Sequence, residues 1–283
     1  MYKKDKEFIM LPTVDICFKN LMENPKVRKG FIAALMGKKP EEIEHSELLP
    51  TILSKNSKSD KLGILDVRVR LKDGTQLDLE MQVQNYAYWD ERALFYLGKM
   101  FTDQIGEGED YDRLKKCIHV SILDFIRYPD DDICYRTFHL RDDKMGKLYS
   151  DKFEIQVLEL RKLPKEIETE DDIILWMKFL SGKSQEEFEN MAKNNEYLGE
   201  AYNVIQELSA DDVKRLEYEA RQKAIRDYNS FVNGARREGH EEGIEKINKL
   251  NQCLLEDGRI EDLKKACKDE AYQKELLEEY GIQ

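Results

Sequence analysis

Long apolar runs are missing from this 283-residue chain. No stretch approaches the roughly 18 residues of a membrane-spanning helix, and the opening MYKKDKEFIM lacks the apolar centre of a signal peptide. No membrane partner and a cytoplasmic location are therefore expected. Paired cysteines are missing too: Cys17, Cys117, Cys134, Cys253 and Cys267 are odd in number and scattered, with no Cys-x-x-Cys pair, so they read as reduced core or surface thiols. The four histidines, His45, His119, His139 and His240, are equally dispersed, which argues against a zinc site. Surplus positive charge is the third absence. A net charge of −12 argues at first against nucleic acid as a partner. Residues 165–283, however, hold 18 Lys and Arg against 29 Asp and Glu, so nearly all of the excess lies in the tail. The first part of the chain is close to neutral and is free to present a basic groove.

What the sequence does contain is one stretch of regular alternation, GILDVRVRLKDGTQLDLEMQVQ, residues 63–84. Leu65, Val67, Val69 and Leu71 alternate with Asp66, Arg68 and Arg70, and Leu77, Leu79, Met81 and Val83 alternate with Asp78, Glu80, Gln82 and Gln84. Period-2 patterning of this kind marks two half-buried strands, here a β-hairpin with one polar face. Paired residues share a face, so the apolar rows match only when paired numbers have an even sum, which excludes a two-residue turn. A three-residue loop Lys72-Asp73-Gly74, with Gly74 left-handed, satisfies this parity. It pairs Leu71 with Thr75 and sets Asp66 opposite Glu80, with Cβ atoms about 5 Å apart. Two carboxylates that close repel unless protonated or bridged by a cation, and a hard divalent ion such as Mg²⁺ takes such oxygens. The alternative is that both are solvated residues of an outer face.

Around the hairpin, LPTVDICFKNLMENP predicts a helix with Thr13 as N-cap and Ile16, Leu21 and Met22 facing a core. Pro25 opens a second helix through Met36, closed by Gly37, and Pro40 opens a short third one over PEEIEHSELL. SKNSKSDK, residues 54–61, is a basic connector, either a plain loop or one that contacts phosphate. Tyr86 to Ile105 predicts a helix with Leu94, Leu97, Phe101 and Ile105 on its apolar face and Arg92, Tyr96 and Lys99 on a polar-aromatic stripe. Residues 106–116 read as loop, followed by strands at CIHVSILDF, ICYRTFHL (133–140) and FEIQVLEL (153–160). His119 and His139 read as ordinary strand residues. From Pro164 onward every segment is helical in period and charge, with Glu-Gly spacings in REGHEEGIEK at 237–246.

In order and spacing, DICFKNLM, GILDVRV followed by LEMQVQ, ALFYLGKMFTDQIGEGEDYDRLKKCIHVSILDF, LWMKFL, YEARQKAIRDYNS and REGHEEGIEK resemble the bacterial PD-(D/E)xK nuclease family transposases, also called recombination-promoting nuclease or Rpn-like proteins. The resemblance implies an α/β (α+β) fold. A restriction-endonuclease-like mixed β-sheet core flanked by helices would occupy residues 1–163, and an all-helical appendage with an acidic tail residues 164–283. It implies Mg²⁺, with Mn²⁺ as a substitute, held by Asp66 and Glu80 and by the Met81 backbone carbonyl. Gln82 stands where the superfamily more often has lysine; it can orient a water but carries no charge. The residue before Asp66 is Leu65 rather than proline. Asp15, Lys19, Arg92 and Tyr96 are the further residues expected to line the cleft as substrate contacts. The implied activity is DNA endonuclease hydrolysis by a metal-activated water, tied to mobile elements or recombination. The alternative is a catalytically inactive relative that binds DNA or a protein. For the tail, mimicry of DNA and formation of a homo-oligomer stand as two roles.

Overall fold

The computed structural model describes residues 8–53, 61–164 and 171–282. The basic connector expected at 54–61 lies outside the described residues except for Lys61. Two compact units divide between Arg221 and Gln222.

The first unit is built on a six-stranded mixed sheet. Helix α1 spans Asp15–Glu23 and α2 spans Pro25–Met36. Strands β1 (Ser46–Leu49), β2 (Val67–Leu71) and β3 (Gln76–Gln82) follow, then α3 (Trp89–Thr102). Strands β4 (Cys117–Leu123), β5 (Tyr135–Arg141) and β6 (Leu148–Glu159) complete the sheet in the order β1-β2-β3-β4-β6-β5. β3 pairs antiparallel with β2 and parallel with β4, and β4 is parallel to β6. Helices α4 (Asp172–Ser181), α5 (Gln185–Ala192) and α6 (Glu196–Ala210) lie beyond the sheet in sequence. The expected mixed sheet with flanking helices is the fold found.

The hairpin has the expected register. Val67 pairs with Leu79 and Val69 with Leu77, Leu71 N–H donates to Thr75 O at 2.8 Å, and Gly74 takes φ +88°, the left-handed region that only glycine enters without strain. Its polar face is only partly solvated, however, with Arg70 exposed and Arg68 half-buried. β3 is an interior strand, and Asp78 and Glu80 are fully buried because α3 packs over that side. The apolar rows, Val67, Val69, Leu77, Leu79, Met81, Ile118, Val120 and Ile122, face the opposite layer of α1, α2 and α4–α6.

Several expectations change in three dimensions. Val14, not Thr13, is the N-cap of α1, with no side-chain cap; a turn closed by Val14 N–H to Leu11 O delays the helix by one residue. Pro25, Met36 and Gly37 bound α2 as expected, with the Asn24 side chain accepting from Lys26 N and Val27 N. After Pro40 only one 3-10 turn forms (Pro40–Glu42), because Ser46–Leu49 is drawn into the sheet against Arg68–Leu71. On α3 the inward residues are Ala93, Tyr96, Leu97 and Met100, while Leu94 is exposed. Tyr96 therefore lies under the helix rather than on a solvated stripe.

The helices from 172 onward do not all form an appendage to the sheet core. Phe31 of α2 packs against Trp176 of α4 at 5.4 Å between ring centroids. Where α2 meets α6, a Cβ added at Gly30 would lie 2.6 Å from Tyr197 Cβ. Ile173, Trp176, Leu180, Phe188, Leu198, Ala201 and Ile205 share one core with α1 and the sheet. Burying each large apolar side chain contributes roughly 1.5–3 kcal/mol, so α4–α6 are part of what holds the sheet layer.

Helix α7 (Asp212–Glu256) starts in the first unit and ends in the second. In the second unit, Leu250 and Leu254 pack with Ala266 of α8 (Ile260–Ala266), Leu276 of α9 (Glu270–Glu279) and Ile282. Arg259 ties this small core together through Asp262, Glu279 and Tyr280.

Candidate active site

The site lies where β2 begins and the chain before it peels away from β3. Residues 63–65 turn toward 51–53, with Leu65 N–H on Thr51 O and Leu53 N–H on Gly63 O, both at 2.9 Å. Asp66 sits at the point of divergence, where ladder bonds to β3 stop. Side chains take their place. Asp66 N–H donates to Glu80 Oε1 at 2.8 Å, and Met81 N–H donates to Asp66 Oδ2 at 3.2 Å. The sheet geometry therefore holds the two carboxylates side by side, each anchored by the other strand's backbone.

Each carboxylate also meets a cation from a helix. Lys19 Nζ of α1 is 3.0 Å from Asp66 Oδ1, and Arg92 Nη2 of α3 is 3.2 Å from Glu80 Oε2. The Arg92 guanidinium lies over the rings of Trp89 and Tyr96, 5.4 and 5.1 Å from their centroids. Cation–π contact of this kind fixes a guanidinium's plane. Lys19 and Arg92 remain about one-third exposed, so both can be reached from solvent.

Deeper in the same face, Asp78 Oδ2 is 2.7 Å from His119 Nδ1, and His119 Nε2 is 3.1 Å from Ser121 Oγ. All three are fully buried. Either proton placement satisfies the chain: an ionised Asp78 accepts from Nδ1–H while Ser121 donates to Nε2, or a protonated Asp78 donates to Nδ1 while Nε2–H donates to Ser121. Burial raises the Asp78 carboxyl well above its ordinary range, with the nearby Asp66 charge adding to it. Burial likewise raises Glu80, followed by the charges of Asp78 and Asp66. Burial lowers His119 to about 4, so the imidazole is neutral at pH 7.

Sequence alone does not reveal this chain as a unit. Its signal was present in the i, i+2 spacing of Asp78 with Glu80 and of His119 with Ser121. What was missing was the parallel register that sets Asp78 beside His119 and Glu80 beside Ser121.

Of the residues expected to line a cleft, the structure brings Asp66, Glu80, Lys19, Arg92 and Tyr96 together. Gln82 follows on the same strand face as Glu80, at the partly exposed strand end. Asp15 points elsewhere and pairs with Arg221 Nη2 at 2.8 Å. His139, on β5, bonds Glu154 at 3.0 Å and belongs to the sheet rather than the site.

The donor set suits a hard divalent cation in kind. Asp66 and Glu80 offer carboxylate oxygens, and the Met81 carbonyl lies on the same strand edge as its N–H, toward Asp66. One buried oxygen near the site, Asp78 Oδ1, has no hydrogen-bond partner among the described residues. Among the described residues no group of three or more His, Cys, Asp or Glu side chains is arranged to hold a metal. A cation here would rest on two side chains and would compete with Lys19 and Arg92 for their outer oxygens.

Compared with known families, residues 12–235 match the family model described as PD-(D/E)XK nuclease family transposase. No curated protein and no solved structure matches. Among the described residues, no helix is long and apolar enough to cross a membrane.

Proposed function

The chain belongs to the PD-(D/E)XK nuclease family transposases, and from that premise we propose that it is a DNA endonuclease that hydrolyses phosphodiester bonds with Mg²⁺, for which Mn²⁺ can substitute. Asp66 and Glu80 would hold the ion, together with the Met81 carbonyl. When bound, such an ion supplies Lewis-acid polarisation of the phosphoryl oxygen and a water of lowered pKa. The remaining work falls to the chain's own residues.

Gln82 has no proton to take and no charge to give. Its amide oxygen accepts from the attacking water and so aims it. The positive charge that a lysine would bring there is supplied from the other side of the site by Lys19, 3.0 Å from Asp66. Arg92, held over two aromatic rings, contacts a phosphate oxygen of the strand through a charge-assisted hydrogen bond. The buried Asp78–His119–Ser121 chain braces the strand pair that carries Glu80. The observation that supports this reading most is the mutual anchoring of Asp66 and Glu80 at the end of the β2–β3 ladder.

A second reading is a catalytically inactive relative that binds DNA or a protein. Gln82 in the lysine position favours it, as does the pairing of both carboxylates with cations. Nicking of supercoiled plasmid separates the two. The nuclease reading expects nicking in Mg²⁺ that EDTA stops and that Glu80→Gln removes. Equal nicking by parent and variant refutes the assignment of Glu80, and absence of nicking by the parent in both Mg²⁺ and Mn²⁺ favours the binding module.

A further inference from the structure

Beside the carboxylates, on the same face of the sheet, a cavity of about 190 Å³ opens between the start of α3, β4, β5 and β6. Its aromatic walls are Trp89, Tyr128 and Phe138, its inner end is Ser121, and its rim carries Asp90 and Arg127. The Tyr128 and Phe138 rings are 6.1 Å apart at an interplanar angle of 42°. Arg136 lies over the Tyr128 ring at 4.3 Å and steadies it. Arg127 Nη2 bonds Asp90 Oδ2 at 2.5 Å across the mouth.

The cavity shares a wall with the proposed active site. Ser121 is the register partner of Glu80, one strand spacing away, about 5 Å. Trp89, in the cavity wall, lies under the Arg92 guanidinium that bonds Glu80. A nucleotide whose base is seated here would place its phosphate within reach of Asp66 and Glu80.

We propose that this cavity receives a single unstacked nucleobase of the strand being cut. The inference rests on the nuclease reading above and adds the form of its substrate. The volume is below the 300–1,000 Å³ or so of sites for drug-sized ligands and suits one planar ring system. Aromatic walls give a stacking surface that accepts any base. Polar groups sit where a base edge and its backbone would end. A hydroxyl offers three hydrogen-bonding places, of which His119 takes one in Ser121, and Arg127 at the mouth would exchange Asp90 for a backbone phosphate. A base paired inside a duplex cannot enter, so the preferred substrate is single-stranded or distorted DNA from which the base is already free or readily flipped.

Fluorescence anisotropy in EDTA tests this with the full chain and two labelled single strands of equal length, one with bases and one abasic throughout. The wild type is expected to bind the base-bearing strand about tenfold more tightly, the effect of stacking one base. Phe138 and Leu94 both line the cavity at exposed positions; Phe138→Ala, which removes a stacking wall, and Leu94→Trp, which fills the space a base would occupy, should each bring that ratio to about one while leaving abasic affinity unchanged. Equal binding of the two strands by the wild type overturns the proposal, as does a ratio that survives both substitutions. Cleavage in Mg²⁺, read separately, reports on the nuclease reading. A folded protein that discriminates the strands through Phe138 yet cuts neither keeps the pocket and loses the nuclease.

Discussion

The backbone N–H of Asp66 donates to Oε1 of Glu80 across 2.8 Å, so one proposed ligand is held in place by the amide of the other. Met81 N–H returns a bond to Asp66. Neither carboxylate can rotate away without leaving a partly buried amide unsatisfied, a cost that reaches about 1–3 kcal/mol for a fully buried group. Preorganisation at this end of the ladder is thus a property of the backbone as much as of the side chains.

Burial raises the Glu80 carboxyl above its unfolded value, and the sign of its effect on stability follows. The contribution is complete below the unfolded carboxylate range and is lost as pH rises through the folded pKa, at about 1.4 kcal/mol per unit of separation. Glu80→Gln removes the ionisation and keeps the shape. In EDTA its melting temperature should match the wild type near pH 4 and exceed it increasingly toward pH 8. A variant that is less stable at pH 8 than at pH 4, relative to the parent, would show that Arg92 and the Asp66 amide outweigh burial.

Lys19 is assigned the charge that Gln82 lacks. Lys19→Met should lower kcat for plasmid nicking about 10²-fold, the scale of losing one charge-stabilising group, with a smaller change in KM. Gln82→Lys in that background should restore part of the loss. Unchanged kcat in Lys19→Met removes Lys19 from the mechanism.

Gly30 measures whether α6 belongs to the sheet core. A methyl there meets Tyr197 Cβ at 2.6 Å, close to the backbone where the ring cannot simply swing aside. Gly30→Ala should cost about 1–3 kcal/mol by overpacking, read as a lower urea midpoint with unchanged slope. A neutral or stabilising effect would mean that α2 and α6 separate readily.

The parts of this protein that sequence reveals are those set by short-range rules. The hairpin register was legible because parity and one glycine decide it within some 20 residues, and it carried Asp66 and Glu80 with it. Lys19 and Arg92 could be named as neighbours, though not assigned to one carboxylate each. Asp78, His119 and Ser121 were not legible as a unit, because a parallel pairing 41 residues apart leaves no local turn to reveal it. The alternation of β3 looked half-solvated for a related reason. Period 2 reports that two faces differ, and says nothing of a helix arriving to cover the polar one. The short Ser46–Leu49 strand was hidden by charges that suit a helix until β2 claims it. The place of α4–α6 depended on contacts such as Phe31 with Trp176, which helical periodicity does not encode.

Whether Asp66 and Glu80 together hold a divalent ion is read most directly from a crystal of the full chain soaked in Mn²⁺, through the metal's anomalous signal. One peak is expected, bonded to a carboxylate oxygen of Asp66, a carboxylate oxygen of Glu80 and the Met81 carbonyl, with Lys19 or Arg92 displaced from its present partner, and no peak in Asp66→Ala. A wild-type map with the ion elsewhere, or with none at the two carboxylates, would contradict that assignment.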